Sequence, residues 1–230
     1  MKLRSLLFLS LFFFSSFAQA TDELDELRAV NKNEWRILKN DQRQKIKIWT
    51  KNEDDKPIRS FKVESVIDEP IDSLMRLGVD IPAMSRWFFQ MKSAKVIKLI
   101  SANEVIVYLV FDAPLGVPDR DAIVRITMFP MSAKQPFSLV KWEALPDHLP
   151  LKPPFVRMQA ANFTAKLTPL NEHQTAFDTE GYFNPGGHDP VWAVNFMQTR
   201  APYVSLLGYR RVVANPKYQD PSQPQTFQAE

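Results

Sequence analysis

Cysteine is absent from the 230-residue sequence. That excludes a disulfide scaffold, a cysteine-based zinc site, a thiol nucleophile and a lipidated N-terminal cysteine. Glycine is scarce, at six residues. No glycine/serine linker divides the chain, and no Gly-x-Ser-x-Gly nucleophile elbow occurs. The three histidines, His148, His173 and His188, are isolated and lack metal-ligand spacing. Neither sign of charge dominates, with 29 Lys+Arg against 26 Asp+Glu. The excess of +3 is scattered and does not point to nucleic acid. What remains, 45% hydrophobic and 24% charged residues, is ordinary globular composition.

The first twenty residues read as a secretory signal peptide. Lys2 and Arg4 form a positive start, Leu6 to Phe17 an apolar stretch, and Ala18-Gln19-Ala20 a small-x-small cleavage site. The apolar stretch is shorter than the roughly 18–20 residues that span a bilayer, and polar Thr21-Asp22-Glu23 follows at once. Lys2 and Arg4 are the only charged residues of this leader, so cleavage after Ala20 lowers the net charge from +3 to +1. The expected location is periplasmic or secreted. No later apolar run is long enough to cross a membrane. The expected organisation is a leader over 1–20, one domain over 21–215, and a frayed proline-rich tail over 216–230.

Along the rest of the chain, Leu24, Leu27 and Val30 are spaced three apart and predict a short helix. Trp35–Lys39 and Ile46–Thr50 read as short strands. Phe61, Val63, Ser65 and Ile67 alternate with Lys62, Glu64 and Asp68, the pattern of a half-buried strand. Pro70–Leu77 and Pro82–Phe89 predict two short helices, each starting near a proline. Six strands follow: Val96–Ile100, Val105–Phe111, Ala122–Phe129, Phe137–Ala144, Val156–Leu167 and Thr175–Phe183. Val105–Phe111 is apolar on both parities, so both of its faces should be covered. The last element, Val191 to Val213, is a long helix with Pro202 inside it and apolar residues nearly all round. Helix, strands, small helices, an antiparallel run and one closing helix make an α+β chain with a curved antiparallel sheet against a C-terminal helix.

Four stretches in this order resemble the START family, the steroidogenic-acute-regulatory-related lipid transfer domains, and most closely their bacterial secreted relatives. They are Ser60-Phe61-Lys62-Val63-Glu64 leading to Ile67-Asp68-Glu69-Pro70, and Val107 to Pro114 followed by Asp119-Arg120-Asp121. The others are Val156-Arg157-Met158, and Asn184-Pro185-Gly186-Gly187 with Pro190, Trp192, Asn195 and Pro202. The resemblance spans roughly Arg59 to Val213. It implies a helix-grip fold, an incomplete barrel curled around the last helix with an internal apolar cavity. It also implies one lipid or sterol-like ligand and a lid made by the last helix and the loop Ala113–Pro118.

On this reading the cavity candidates are Tyr108, Ile123, Arg125, Thr127, Phe177, Val194, Met197, Ala201 and Val204. Arg125 shares the parity of Ile123, Thr127 and Phe129. It is either a polar anchor for a ligand head group inside the tunnel, which would need a charged partner, or an arginine paired across strands or exposed at an edge. Tyr108 offers a ligand a hydroxyl or is a core aromatic. Asp119-Arg120-Asp121 reads as a structural salt-bridge cluster, with Arg157 on the late strand as a partner. Asn184 to Gly187 reads as a turn into the helix, and Trp192 and Asn195 as packing and hydrogen bonding of that helix. Trp87-Phe88-Phe89 is either an exposed membrane-surface contact or core packing.

The expected function is an exported carrier holding one lipid or other hydrophobic small molecule, with no catalytic residues, metal or cofactor. The alternatives are a cyclase or aromatase of the same fold superfamily, using Arg125, Tyr108 and Thr127, and a ligand-stabilised sensor or interaction module.

Overall fold

The computed structural model describes residues 33–113, 116–187 and 191–228, with the side chains of 191–193 and 195–199 left aside. The leader, its cleavage site, the helix expected at Leu24–Val30, and the side chains of Trp192, Asn195 and Met197 lie outside these described residues.

Among the described residues, ten strands form one open sheet. They are β1 Arg36–Asp41, β2 Ile46–Lys51, β3 Ser60–Ile67, β4 Met91–Ser101 and β5 Glu104–Phe111, then β6 Arg120–Phe129, β7 Ser138–Ala144, β8 Val156–Arg157, β9 Ala160–Asn171 and β10 Gln174–Asn184. The order across the sheet is β1-β2-β3-β10-β9-β7-β6-β5-β4, and β8 pairs in parallel with the start of β6. Every other pairing is antiparallel. Between β3 and β4 lie helix α1, Ile71–Val79, and a 3₁₀ helix, Ile81–Arg86. Helix α2, Val191–Val213, and the single turn α3, Pro216–Gln219, close the chain.

The period-two pattern of β3 becomes its burial pattern: Phe61, Val63, Ser65 and Ile67 are buried, and Lys62, Glu64 and Val66 are half-buried. Register shifts interrupt β4 against β5 at three places, and such bulges increase twist and bend a sheet. Strand β5 is covered on both sides as expected: Val105, Ile106, Val107 and Leu109 are all buried. At the 3₁₀ helix the Asp80 carboxylate accepts from the Ala83 N–H at 3.2 Å.

The concave side holds α1 and α2. Tyr209 on α2 donates to the Leu74 carbonyl of α1 at 2.5 Å. Arg210 donates to the carbonyls of Gln44, in the turn between β1 and β2, at 2.7 Å and of Val66 in β3 at 2.8 Å. Tyr203 donates to Asp41 Oδ2 at 2.6 Å. Gly208 sits where α2 passes closest to the chain after the 3₁₀ helix; a Cβ there would come within 2.5 Å of the Trp87 carbonyl oxygen. Among the described residues, no helix is long and apolar enough to cross a membrane.

Two expectations are corrected. The strand expected over Val156–Leu167 divides into β8 and β9, because the Met158 N–H bonds to the Asp121 carbonyl and the Gln159 N–H to the Asn184 carbonyl. The chain leaves β6 and joins the end of β10 between them. The tail over 216–228 is not frayed. Asn215 caps α3 by accepting from the Lys217 N–H at 3.0 Å. Tyr218 and Phe227 are 2% and 3% exposed and join the core. Tyr218 also donates to Asp80 at 3.0 Å, and the Phe227 N–H reaches the Ala102 carbonyl at 2.9 Å. Prolines suppress helical periodicity, but two isolated aromatic residues suffice to pin a short tail by burial.

Candidate functional site

A cavity of about 110 Å³ lies between the concave face of the sheet, α1 and α2. The sheet supplies its walls by alternation. Phe61 and Val63 come from β3, Phe177, Thr179 and Phe183 from β10, Phe163, Ala165 and Leu167 from β9, Val140 and Trp142 from β7, and Met128 from β6. Leu74, Met75 and Gly78 of α1, Met84 of the 3₁₀ helix, and Trp87 and Phe88 just after it form one end. Ala201, Pro202, Ser205, Leu206 and Tyr209 of α2 form the roof. These residues recur at the three- and four-residue steps of one helix face.

The wall is an aromatic cluster. Phe88 stacks on Trp142 with ring centroids 5.6 Å apart, and Trp142 stacks on Phe163 at 4.6 Å. Phe61 lies parallel to Phe183 at 5.4 Å. Trp87 meets the edge of Tyr209 at 4.8 Å. No charged side chain lines the cavity among the described residues. An ion placed there would lose its hydration without a partner, at large cost.

Five of the described wall residues, Trp87, Trp142, Thr179, Ser205 and Tyr209, carry side-chain nitrogen or oxygen atoms. Ser205 Oγ accepts from the Phe89 N–H at 3.0 Å, and Tyr209 Oη donates to Leu74. Burial pushes the Tyr209 phenol well above its ordinary range, so the phenol stays protonated. Trp87 Nε1 and Thr179 Oγ1 are buried and have no hydrogen-bond partner.

A second buried polar arrangement sits on the opposite, convex face. Asp121 and Arg157 are 1% and 4% exposed and form a two-pronged pair, Nε to Oδ1 at 2.8 Å and Nη2 to Oδ2 at 2.9 Å. Tyr108 donates to Asp121 Oδ2 at 2.8 Å. Arg157 spends its remaining N–H groups on the carbonyls of Pro146, Leu149 and Pro150. All five donors of the guanidinium are therefore engaged. Burial works to raise the Asp121 pKa, but the bonds from Arg157 and Tyr108 outweigh it and hold the carboxyl below its usual range. Burial and the adjacent carboxylate push the Tyr108 phenol up to about 12. This arrangement straps the loop after β7 across β6, and it matches the expected structural cluster of Asp121 with Arg157.

The expected site residues divide accordingly. Phe177 and Ala201 line the cavity. Val194 is buried but is not among the lining residues, and the Met197 side chain lies outside the described residues. Val204 is 38% exposed, because the lining face of α2 is centred on Pro202, Ser205 and Tyr209 and Val204 falls beyond its edge on the Ala201 side. Tyr108, Ile123, Arg125 and Thr127 are corrected to the convex face. In register, Tyr108 lies opposite Ile123 and Glu104 opposite Thr127, while the inward residues of β6 are Ala122, Val124, Ile126 and Met128. Ile123 is buried all the same, beneath a segment whose Leu145 N–H bonds to the Ile123 carbonyl. Arg125 is an arginine paired across strands, with Glu104 at 3.2 Å and Glu143 at 4.0 Å.

Of Trp87-Phe88-Phe89, Trp87 and Phe88 line the cavity and pack against the core, as the core-packing alternative expects, and Phe89 is half-buried. Sequence reasoning missed Thr179, Trp142, Phe163, Phe183, Ser205 and Tyr209. The alternation of Phe177, Thr179 and Phe183 was a readable signal for Thr179. Residues 114 and 115 of the expected lid loop, and residues 188 to 190 after the Asn184–Gly187 turn, lie outside the described residues.

No protein-family model matches the sequence, and no curated protein does. Solved structures do. The crystal structure of a STAR-related lipid transfer protein from Xanthomonas axonopodis is 25% identical, with a TM-score of 0.69 over 78% of this chain and 98% of that one. Human STARD10 is 17% identical, with a TM-score of 0.69 over 86% of this chain and 80% of its own. Human StAR-related lipid transfer protein 5 is 14% identical, with a TM-score of 0.68 over 87% of this chain and 94% of its own. The two human structures show the shared fold alone. The chain has the START-like fold: a large open antiparallel sheet with a long C-terminal helix across it.

Proposed function

We propose that this START-fold chain binds one hydrophobic molecule between its sheet and α2, and that it does so as an exported lipid carrier. The observation that carries the reading is the cavity itself, an aromatic and aliphatic space without a charged lining residue among those described. Leaving it empty forfeits contacts on every wall. Each ligand CH₂ buried there contributes about 0.8 kcal/mol. The Xanthomonas protein of the same fold is named for lipid transfer, which supports the same class of cargo here. Export rests on the leader-like residues 1–20.

In its present form the space suits a ring or a short chain. A longer acyl chain requires the roof to move. Pro202 lies inside α2 and on the cavity wall. Its ring removes one backbone donor and weakens the helix where the roof would have to bend. Binding and release then use the same element, as a carrier requires.

The test is native mass spectrometry of the protein purified from the periplasm, followed by identification of what extracts into organic solvent. One lipid per chain that passes between vesicles supports the carrier. A bound lipid that never exchanges turns the reading to a sensor. Conversion of an added polyketide-type chain turns it to an enzyme. An empty protein that takes up no apolar probe removes the reading altogether.

A further inference from the structure

Of the five polar side-chain groups on the cavity wall, two are committed to backbone partners and two, Trp87 Nε1 and Thr179 Oγ1, are buried without one. Ser205 Oγ already holds the Phe89 N–H, and the Tyr209 hydroxyl holds the Leu74 carbonyl. Trp87 Nε1 and Thr179 Oγ1 have no partner, although both atoms are buried. A buried polar atom without a hydrogen bond is costly, about 1–3 kcal/mol for a neutral group. Most buried polar groups in folded proteins avoid that cost. Here two such groups belong to the wall of one cavity.

Their placement is built in. Thr179 has the parity of Phe177 and Phe183 on β10, so its side chain belongs to the concave face with theirs. Valine would fill the same shape without the unpaired hydroxyl. Trp87 is fixed by its edge contact with Tyr209 and by the close passage of α2 at Gly208. Phenylalanine could make most of these ring contacts without the unpaired N–H.

The chemistry of the two atoms restricts what can satisfy them. An indole N–H only donates, and a threonine hydroxyl can donate or accept. Trp87 therefore requires an acceptor, and Thr179 can serve an acceptor or a donor. The described lining residues offer no counter-charge to a buried carboxylate, phosphate or ammonium, which disfavours an ionised group there. We propose that Trp87 and Thr179 are polar contact points of the ligand site and select an uncharged lipid with a buried carbonyl or hydroxyl oxygen over a hydrocarbon or an ionised lipid. This rests on the lipid-binding reading above and narrows its cargo to the neutral oxygenated class.

A length-matched probe set tests it on the full chain: octane, 2-octanone, 1-octanol and octanoate at pH 8. Each competes against the fluorescent apolar probe N-phenyl-1-naphthylamine. One additional neutral hydrogen bond corresponds to about threefold to tenfold in affinity. 2-Octanone and 1-octanol should therefore bind about threefold to tenfold more tightly than octane, and octanoate more weakly than all three. Thr179→Val and Trp87→Phe should each shrink the ketone-to-octane ratio, with each variant's own octane affinity as the reference. Thr179→Ser, which keeps the hydroxyl, should retain the ratio. The Trp87 indole N–H resonance, assigned by its loss in Trp87→Phe, should move downfield with 2-octanone and not with octane. Equal binding of octane and 2-octanone would overturn the selection, as would octanoate binding most tightly or a ratio untouched by Thr179→Val. In those cases lipid binding would still stand. Failure of all four probes to compete would remove lipid binding itself.

Discussion

The two faces of the sheet bury polar groups in opposite ways. On the convex face, Asp121, Arg157 and Tyr108 saturate one another and three backbone carbonyls. On the concave face, Trp87 Nε1 and Thr179 Oγ1 have no partner in a wall without a charged residue among those described. A saturated network has nothing left to offer a ligand, and its physical work is to hold a loop in place. An unsaturated pair in an uncharged cavity can gain from a ligand what the fold does not supply. The conspicuous charges thus belong to the scaffold, and the candidate binding site is marked by their absence.

The strongest way to break this contrast is to remove one member of the convex pair. Arg157→Ala leaves the Asp121 carboxylate buried without its partner, and losing one member of a buried pair costs about 3–5 kcal/mol. For a chain of this size that is a fall of about 10 °C in the unfolding midpoint, read by differential scanning calorimetry. Uptake of 2-octanone per folded molecule should be unchanged below the transition. The same pair gives the contrast a pH signature. Because the Asp121 pKa is depressed in the folded protein, its ionisation stabilises the fold above the unfolded value near 3.9. That contribution is lost as pH falls from there through the folded pKa. Urea midpoints should drop below about pH 4, and Asp121→Asn should flatten part of that drop while lowering stability at neutral pH.

Filling the concave face should have the converse effect. Ala165 lines the cavity from β9, and Ala165→Leu puts three more carbons into it. Affinity for the fluorescent apolar probe should fall at least tenfold, while stability changes by about 1 kcal/mol or less, as expected where a side chain grows into a void and not into packed atoms. Tyr108→Phe is milder. It deletes one hydrogen bond to Asp121 while Arg157 keeps both of its own, so the expected loss is about 1 kcal/mol with ligand affinity unchanged. Arg125→Ala should do least, within about 0.5 kcal/mol, because Arg125 is partly exposed and its ion pairs are surface pairs. A tenfold loss of ligand affinity in Arg125→Ala would return that residue to the site and dissolve the contrast.

Much of the fold was legible in the sequence. The alternation of Phe61, Val63 and Ile67 gave β3 its buried face, and Val191 to Val213 gave α2 its two ends. Asp121 and Arg157 were readable as a structural pair, because alternating charges at a strand start need partners once buried. The binding site was much less legible. For β6, residues of both parities are buried near the strand start: Asp121, Ala122, Ile123 and Val124 all have little exposure. Hydrophobicity therefore could not say which parity faces the cavity, and the choice of Ile123, Arg125 and Thr127 fell on the convex one. On α2 the apolar residues surround the helix, so Ala201 and Val204 looked equivalent, although one lines the cavity and the other is exposed.

By itself the sequence determined the period of each element, the α+β class and the apolar character of the sheet faces, because these depend on neighbours within a few residues. Which face became the cavity was decided only by tertiary structure. The loop after β7 covers one side of β6, and α2 with the 3₁₀ segment covers the other. The same holds for Trp87 and Thr179, 92 residues apart in the chain. An unsatisfied hydrogen-bonding group is a property of everything packed around it, and no local pattern of residues records what is missing there.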